Sequence, residues 1–292
     1  MNKKRVLAML LAGAMTLSMT ACGGGNSAST DDSSNDGGAS ASGGSYKVSV
    51  ILKTLAAEYW QYVKSGAEDY AAEHSDKVTV EVKGPSSETA FDEMQNMIET
   101  DLSSGSYDGL IISPLQSDTA AQLVSGTKLP IVAVDTNFEA PEVISYVGTG
   151  NEAAAKKGAA AAVDAAKAAG WDEIKCIEIA GVQGDETCAA RMRGYEAGVN
   201  EAGGEFLANE VQYADATADR ATTAMEAIMQ THPEGIAIIC AHNDDTAMAA
   251  ARAAKGHEAF KNTIFLGFNG DRAACEAILN GSDDHVGRAD GL

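Results

Sequence analysis

No C-x-x-C pair and no zinc-like spacing occurs among the five cysteines, so a zinc ribbon or a dithiol redox centre finds no ligands here. Positive charge is equally scarce. Only 21 Lys and Arg face 42 Asp and Glu, and the formal charge of −21 repels phosphate backbones and acidic lipid, which argues against a nucleic-acid partner. No G-x-x-x-x-G-K, G-x-S-x-G or H-E-x-x-H is present, which removes the phosphate loop, the hydrolase nucleophile elbow and the zinc-protease helix. Without a nucleophile-base pair or a metal constellation, neither an enzyme nor a cofactor is indicated.

What the chain does have begins at its N-terminus. Lys3, Lys4 and Arg5 precede an apolar stretch at 6–17 that is too short to span a bilayer comfortably. Met19-Thr20-Ala21 then leads to Cys22. The arrangement resembles a bacterial lipoprotein signal, with Met19 in place of the usual Leu. On that reading residues 1–21 are cut off, the Cys22 thiol carries diacylglycerol, and loss of the three basic residues takes the formal charge from −21 to −24. Residues 22–45 contain no large apolar side chain after the cysteine until the end of the run. They form a flexible tether, because nothing in them buries enough surface to offset the entropy of ordering. Asp32, Ser34, Asp36 and Gly37 imitate the start of an EF-hand loop, but Gly43 stands where the bidentate carboxylate belongs.

The remaining 250 or so residues suit two lobes of ordinary domain size. Short β-branched runs alternate with Ala-rich stretches, the pattern of βαβ units and parallel sheets. In the first series, strands are expected at 47–53, 78–83, 109–113, 131–135 and 143–147, with helices at 59–74, 89–103 and 117–125. A helix at 151–169 opens the second series. Strands at 174–180, 206–213, 236–240 and 263–268 follow, with helices at 189–202, 218–231, 244–254 and 272–279. The expected class is α/β, with two Rossmann-like lobes at 46–149 and 150–292. Gly148-Thr149-Gly150 with Ala153 matches G-x-G-x-x-A, yet it lies deep in the chain, after five expected strands, and a turn between lobes fits better than a dinucleotide site. Cys176 and Cys240 lie inside apolar strands and read as buried thiols, although no disulfide pairing of Cys176, Cys188, Cys240 and Cys275 is ruled out by sequence.

Ligands of open α/β sheets bind at the carboxyl ends of strands, which makes the polar and aromatic residues there the candidates. These are Lys53, Tyr59, Trp60, Ser113 and Asp135 from the first series and Arg191, Asn243 and Asn269 from the second. Carboxylate, guanidinium and carboxamide groups can each hold two vicinal hydroxyls in one plane, and aromatic rings can cover the C–H face of a pyranose. A neutral polyhydroxylated ligand fits that set. Plainer roles exist: Lys53 and Asp135 as solvated strand ends, Arg191 as a surface partner of Asp185 or Glu186, Tyr59 and Trp60 as core, Asn243 and Asn269 as helix caps. His242, Asp244 and Asp245 are too close in sequence to converge on one metal ion without distant help.

The segments VILKTLAAEYW, DGLIISPLQSD, IVAVDTNF, CAARMRGYEAG, AIICAHNDDTAMAA and IFLGFNG together resemble the type I periplasmic sugar-binding proteins, the ribose, allose and galactose group serving ABC transporters. The resemblance runs from Tyr46 to Leu279. It implies two lobes closing on one sugar without catalysis, with Tyr59 and Trp60 stacking on the ring and Asp135, Arg191 and Asn243 holding hydroxyls. Lys53 in KTL is similar to the allose branch, where a lysine reaches a hydroxyl. Four positions depart from the pattern: Ala56-Ala57 replace a hydrogen-bonding pair, Asn269 replaces the frequent Asp, Thr136 stands where ribose binders carry Arg, and Ala218 lies near a common aromatic. A hexose, sugar alcohol or related polyol is therefore as good a fit as ribose.

The resemblance also implies a monomer, anchored by lipid at the outer face of the cytoplasmic membrane or in the periplasm, with an ABC permease as partner. A sensing component signalling to a membrane receptor or kinase is the alternative. The lipoprotein-like signal and the lack of an N-terminal helix-turn-helix argue strongly against a repressor's ligand domain. After Gly281 the text GSDDHVGRADGL lacks the strand that would return to the first lobe. The expectation is a chain that stops short, with an exposed edge on the first sheet and weakened closure.

Overall fold

The computed structural model describes residues 45–279 and 286–288, so the signal segment, Cys22 and the tether up to residue 44 lie outside it. Two parallel sheets carry the chain. The first half runs β1 (Tyr46–Ile51), α1 (Glu58–Glu73), β2 (Val78–Lys83), α2 (Phe91–Ser104), β3 (Gly109–Ile112), α3 (Ser117–Val124), β4 (Ile131–Val134) and β5 (Val143–Val147). Its five strands lie in the order β2-β1-β3-β4-β5. Register follows side-chain alternation: Val50 and Leu52 of the first strand pack on Trp60, while Ile51 packs with Met94, Ile98 and Ile112 on the other face. Such strands, covered on both faces, need the continuous β-branched runs seen here.

The second half runs α4 (Asn151–Ala168), β6 (Lys175–Ala180), α5 (Glu186–Glu201), β7 (Glu205–Phe206), β8 (Gln212–Tyr213), α6 (Ala218–Thr231), β9 (Ile238–Ala241), α7 (Asp244–Ala254), β10 (Ile264–Gly267), α8 (Arg272–Leu279) and β11 (Val286–Arg288). The sheet order is β11-β10-β9-β6-β7, with β8 also on β6. Ile177 and Ile179 face one helix layer with Ala221, Met225 and Ala250. Cys176, Cys240 and Leu266 face the other with Ala159, Tyr195 and Val199. Each fully buried aliphatic side chain contributes about 1.5–3 kcal/mol. Small residues set the closest helix contact. A Cβ on Gly198 would stand 2.2 Å from the Lys156 carbonyl and one on Gly194 2.3 Å from that of Glu152, so α5 lies against α4 only because both positions are glycine.

One expectation is corrected. The strand expected at 206–213 is two short pieces, because Phe206 pairs with Cys176 and Gln212 with Ile179: six steps of chain must match three on β6, and Ala208–Glu210 takes up the excess as a 3-10 turn. In the C-terminal text, where no strand returning to the first lobe was expected, Val286–Arg288 pairs with Phe265, Leu266 and Gly267 at the edge of the second sheet. Among the described residues, no segment after Asn151 adds a strand to the first sheet. Finally, Gly148-Thr149-Gly150 does join a strand to a helix, but α4 packs against the second sheet while β5 belongs to the first. The turn therefore crosses between sheets and lacks the βαβ setting a dinucleotide site needs. Cys176, Cys188 and Cys240 are buried thiols outside any disulfide, and Cys275 is half-buried.

Candidate functional site

Strand order reverses at β1 in the first sheet and at β6 in the second, and the crevices beyond such reversals are where doubly wound sheets bind ligands. The carboxyl ends at both points face one cleft. Lys53, Ala57, Tyr59, Trp60, Glu88 and Asp135 line it from the first half, and Thr187, Arg191, His242, Asn243 and Asn269 from the second, closing it to a cavity of about 10 Å³. Seven of the eight expected ligand residues thus converge. Ser113 does not. Its backbone N–H bonds to Ile51 O and extends the sheet, so its side chain is fully buried and its hydroxyl has no partner among the described residues.

Charge and hydrogen bonding organise the cleft. Lys53 is 2% exposed and its ammonium pairs with Asp185, the N-cap whose Oδ1 accepts the Cys188 N–H at 2.7 Å. Burial disfavours the ammonium, but Asp185, then Asp135 and Glu88, outweigh it and hold the Lys53 pKa above its ordinary value. Arg191 is buried rather than paired on the surface. Its Nε donates to Asn151 Oδ1 at 3.0 Å, its Nη1 to His242 O at 2.6 Å, and its guanidinium lies 3.8 Å from the centroid of the Phe268 ring. Asp135 accepts from Tyr59 at 2.9 Å and from Thr136 at 3.0 Å. Burial first, then Asp135, pushes the Tyr59 hydroxyl up, so it stays a donor. The hydroxyls of Thr136 and Thr187 meet at 2.7 Å, a second bond across the cleft besides Lys53 with Asp185.

The aromatic pair and the carboxamides play double roles. Trp60 is 4% exposed, packs on Val50 and Leu52, and meets Tyr59 edge-on at 4.9 Å, so part of it is core. Its indole N–H donates to Glu88 Oε1 at 2.9 Å. Asn243 closes a capping box with Thr246 while lining the cleft. Asp135 and Asn269 end their strands at φ of +62° and +105°, a region that Asp and Asn tolerate better than most residues and that often marks working sites. His242 is buried, and burial, then Arg191 and Lys53, drives its pKa well down, so the imidazole is neutral.

Sequence reading missed Glu88, Thr187 and His242 as lining residues. The strand-end rule does reach Glu88, five residues beyond β2, but the loop 84–90 offered no aromatic or basic residue to draw attention. Asp185 was weighed only as a partner for Arg191, since nothing in the sequence told that a lysine 132 residues away would claim it.

The chain matches the periplasmic binding protein domain over residues 48–286. It belongs to that family. A D-ribose/D-allose-binding protein of Pseudomonas aeruginosa is 24% identical over 247 residues, which is 80% of this chain and 74% of that protein. The D-allose-binding periplasmic protein of Escherichia coli K12 is 29% identical over 232 residues, 76% of this chain and 72% of that one. Among solved structures, a periplasmic solute-binding protein of an ABC transporter from Actinobacillus succinogenes, with bound D-allose, superposes with a TM-score of 0.67 at 21% identity, covering 81% of this chain and 82% of that one. Family and fold agree with the α/β architecture expected from the residues.

Proposed function

We propose that this protein is an exported solute-binding protein of an ABC importer, tethered through Cys22 and holding one monosaccharide or related polyol between lobes at 46–149 and 150–292. The observation that carries the proposal is the cleft itself. Lys53, Tyr59, Trp60 and Asp135 converge from one sheet with Arg191, Asn243 and Asn269 from the other, giving acceptors, donors and a ring in one buried place. The names of the two relatives support a sugar as ligand, and the KTL lysine supports a hexose of the allose kind. In this reading Asp135 accepts hydroxyl protons, Arg191 and Asn243 donate to ring substituents, Trp60 covers a C–H face, and the loaded protein hands its sugar to a permease without chemistry. It acts as a monomer at the outer face of the cytoplasmic membrane or in the periplasm.

A thermal-shift screen of the mature protein against D-allose, D-ribose, other pentoses and hexoses, and polyols tests this. A sugar at 100 times its Kd stabilises the folded state by about 2.7 kcal/mol. For a chain of this size that is a rise in Tm of roughly 5–10 °C. No rise with any member of the panel at millimolar concentration overturns the reading.

A further inference from the structure

Glu88 is the one charged residue of the cleft that neither the motif segments nor the strand-end candidates include, and several independent features fix it there. The loop after β2 passes tightly over the end of β1. A Cβ on Gly84 would stand 2.9 Å from Leu52 O and 3.2 Å from the Thr54 backbone, so glycine brings the loop over Lys53. At the far end of the loop the Trp60 indole N–H holds Glu88 Oε1 at 2.9 Å, and Trp60 is itself fixed by Tyr59, Val50 and Leu52. The residue so held lines the cleft. Burial raises the Glu88 pKa, with Lys53 and the Trp60 bond opposing.

The charges of the cleft decide what such a carboxylate can accept. Glu88, Asp135 and Asp185 stand against Lys53 and Arg191. Lys53 is paired with Asp185, which leaves Arg191, held by Asn151, His242 O and the Phe268 ring, as the one lining cation against both Glu88 and Asp135. A neutral hydroxyl finds an acceptor at Glu88, whereas a ligand carboxylate adds a further negative charge where three carboxylates already face two cations. We propose that Glu88 is a specificity-determining ligand contact, accepting a hydroxyl proton from a neutral sugar and rejecting the corresponding sugar acid. This rests on the sugar-binding reading above.

Calorimetric titration with D-allose, D-ribose, D-galactose and D-glucose, and with D-galacturonate and D-glucuronate as anionic probes, is run on the parent, Glu88→Gln and Glu88→Ala. Gln keeps the length and an acceptor for Trp60 but loses the charge. The parent binds a neutral sugar and neither uronate. Glu88→Gln weakens the tightest neutral sugar about tenfold, the size of a charge-assisted hydrogen bond, and narrows the gap to the uronates, and Glu88→Ala weakens it further. Unchanged neutral-sugar affinity in Glu88→Gln, or a uronate bound by the parent as tightly as its neutral sugar, overturns the role of Glu88 alone. A parent that binds no member of the panel overturns the sugar-binding reading, and this inference with it. Thermal melts of both variants near the parent value establish that they fold.

Discussion

Trp60 shows how one residue can serve two ends. Packing on Val50 and Leu52 makes it core, and it lines the cleft as well. Only Trp60 and Trp171 fluoresce strongly, and Trp171 is tied to Asn262 O at 2.7 Å, outside the cleft lining. A bound sugar is therefore expected to change emission through Trp60, and the change disappears in Trp60→Phe; a variant that keeps the full ligand response removes Trp60 from the site. Glu178 is the opposite case, a buried carboxyl in a core strand. Both its oxygens lack hydrogen-bond partners among the described residues, and burial lifts its pKa to about 8, opposed weakly by Arg191. The folded state then holds a proton that the unfolded state has lost, so between roughly pH 4.5 and 8 this group makes stability fall as pH rises. Glu178→Met removes that fall, with a gain over the parent that is small at pH 5 and on the order of 1–4 kcal/mol at pH 8.5. Urea denaturation at the two pH values measures it, and an equal difference at both contradicts the assignment.

At the scale of elements, caps and close contacts matter more than propensity. Asn243 accepts the Thr246 N–H at 2.9 Å and so anchors the start of α7, where a plain helix former would leave the amide unsatisfied. Asn243→Ala is expected to cost about 1 kcal/mol of stability by denaturation even without ligand, a loss that a purely ligand-facing residue would not show. The packing of α4 on α5 is stricter. Gly198→Ala drives a methyl to 2.2 Å from a backbone carbonyl that cannot rotate away, so about 1–3 kcal/mol is lost as the helices part. The alternation of β-branched and Ala-rich runs was enough to place nearly every strand and helix, because each must bury a face of its own period. It failed at 206–213, where composition favours a strand but pairing with β6 has no room for three of the residues.

Across the molecule, the two halves are joined by the passage at Gly148–Asn151, the one chain crossing among the described residues, and by side chains reaching over the cleft. The buried Lys53 and Asp185 pair is the costlier of these joins. Attraction between the two offsets the loss of water only while both are present. Asp185→Asn and Lys53→Met are each expected to destabilise by about 3 kcal/mol, while the double variant approaches the parent because no charge is left stranded and asparagine can still cap the helix. Thermal melts of the two single variants and the double variant settle this, and additive losses would refute the pairing.

By itself the sequence determined the class of fold and most of the residues that line the cleft, since hydrophobic period and strand ends are local properties of a chain. Lys53, Asp135 and Arg191 could be named because each follows a strand. What only the tertiary structure decided was which of these groups share a cleft and in what state of charge. Ser113 turns inward, Glu88 is carried over Lys53 by a glycine, Asp185 pairs with a lysine rather than with Arg191, and Glu178 enters the core without a partner. Each depends on burial and on contacts between residues distant in sequence, and electrostatic energy changes many-fold with burial and with a few ångströms of separation.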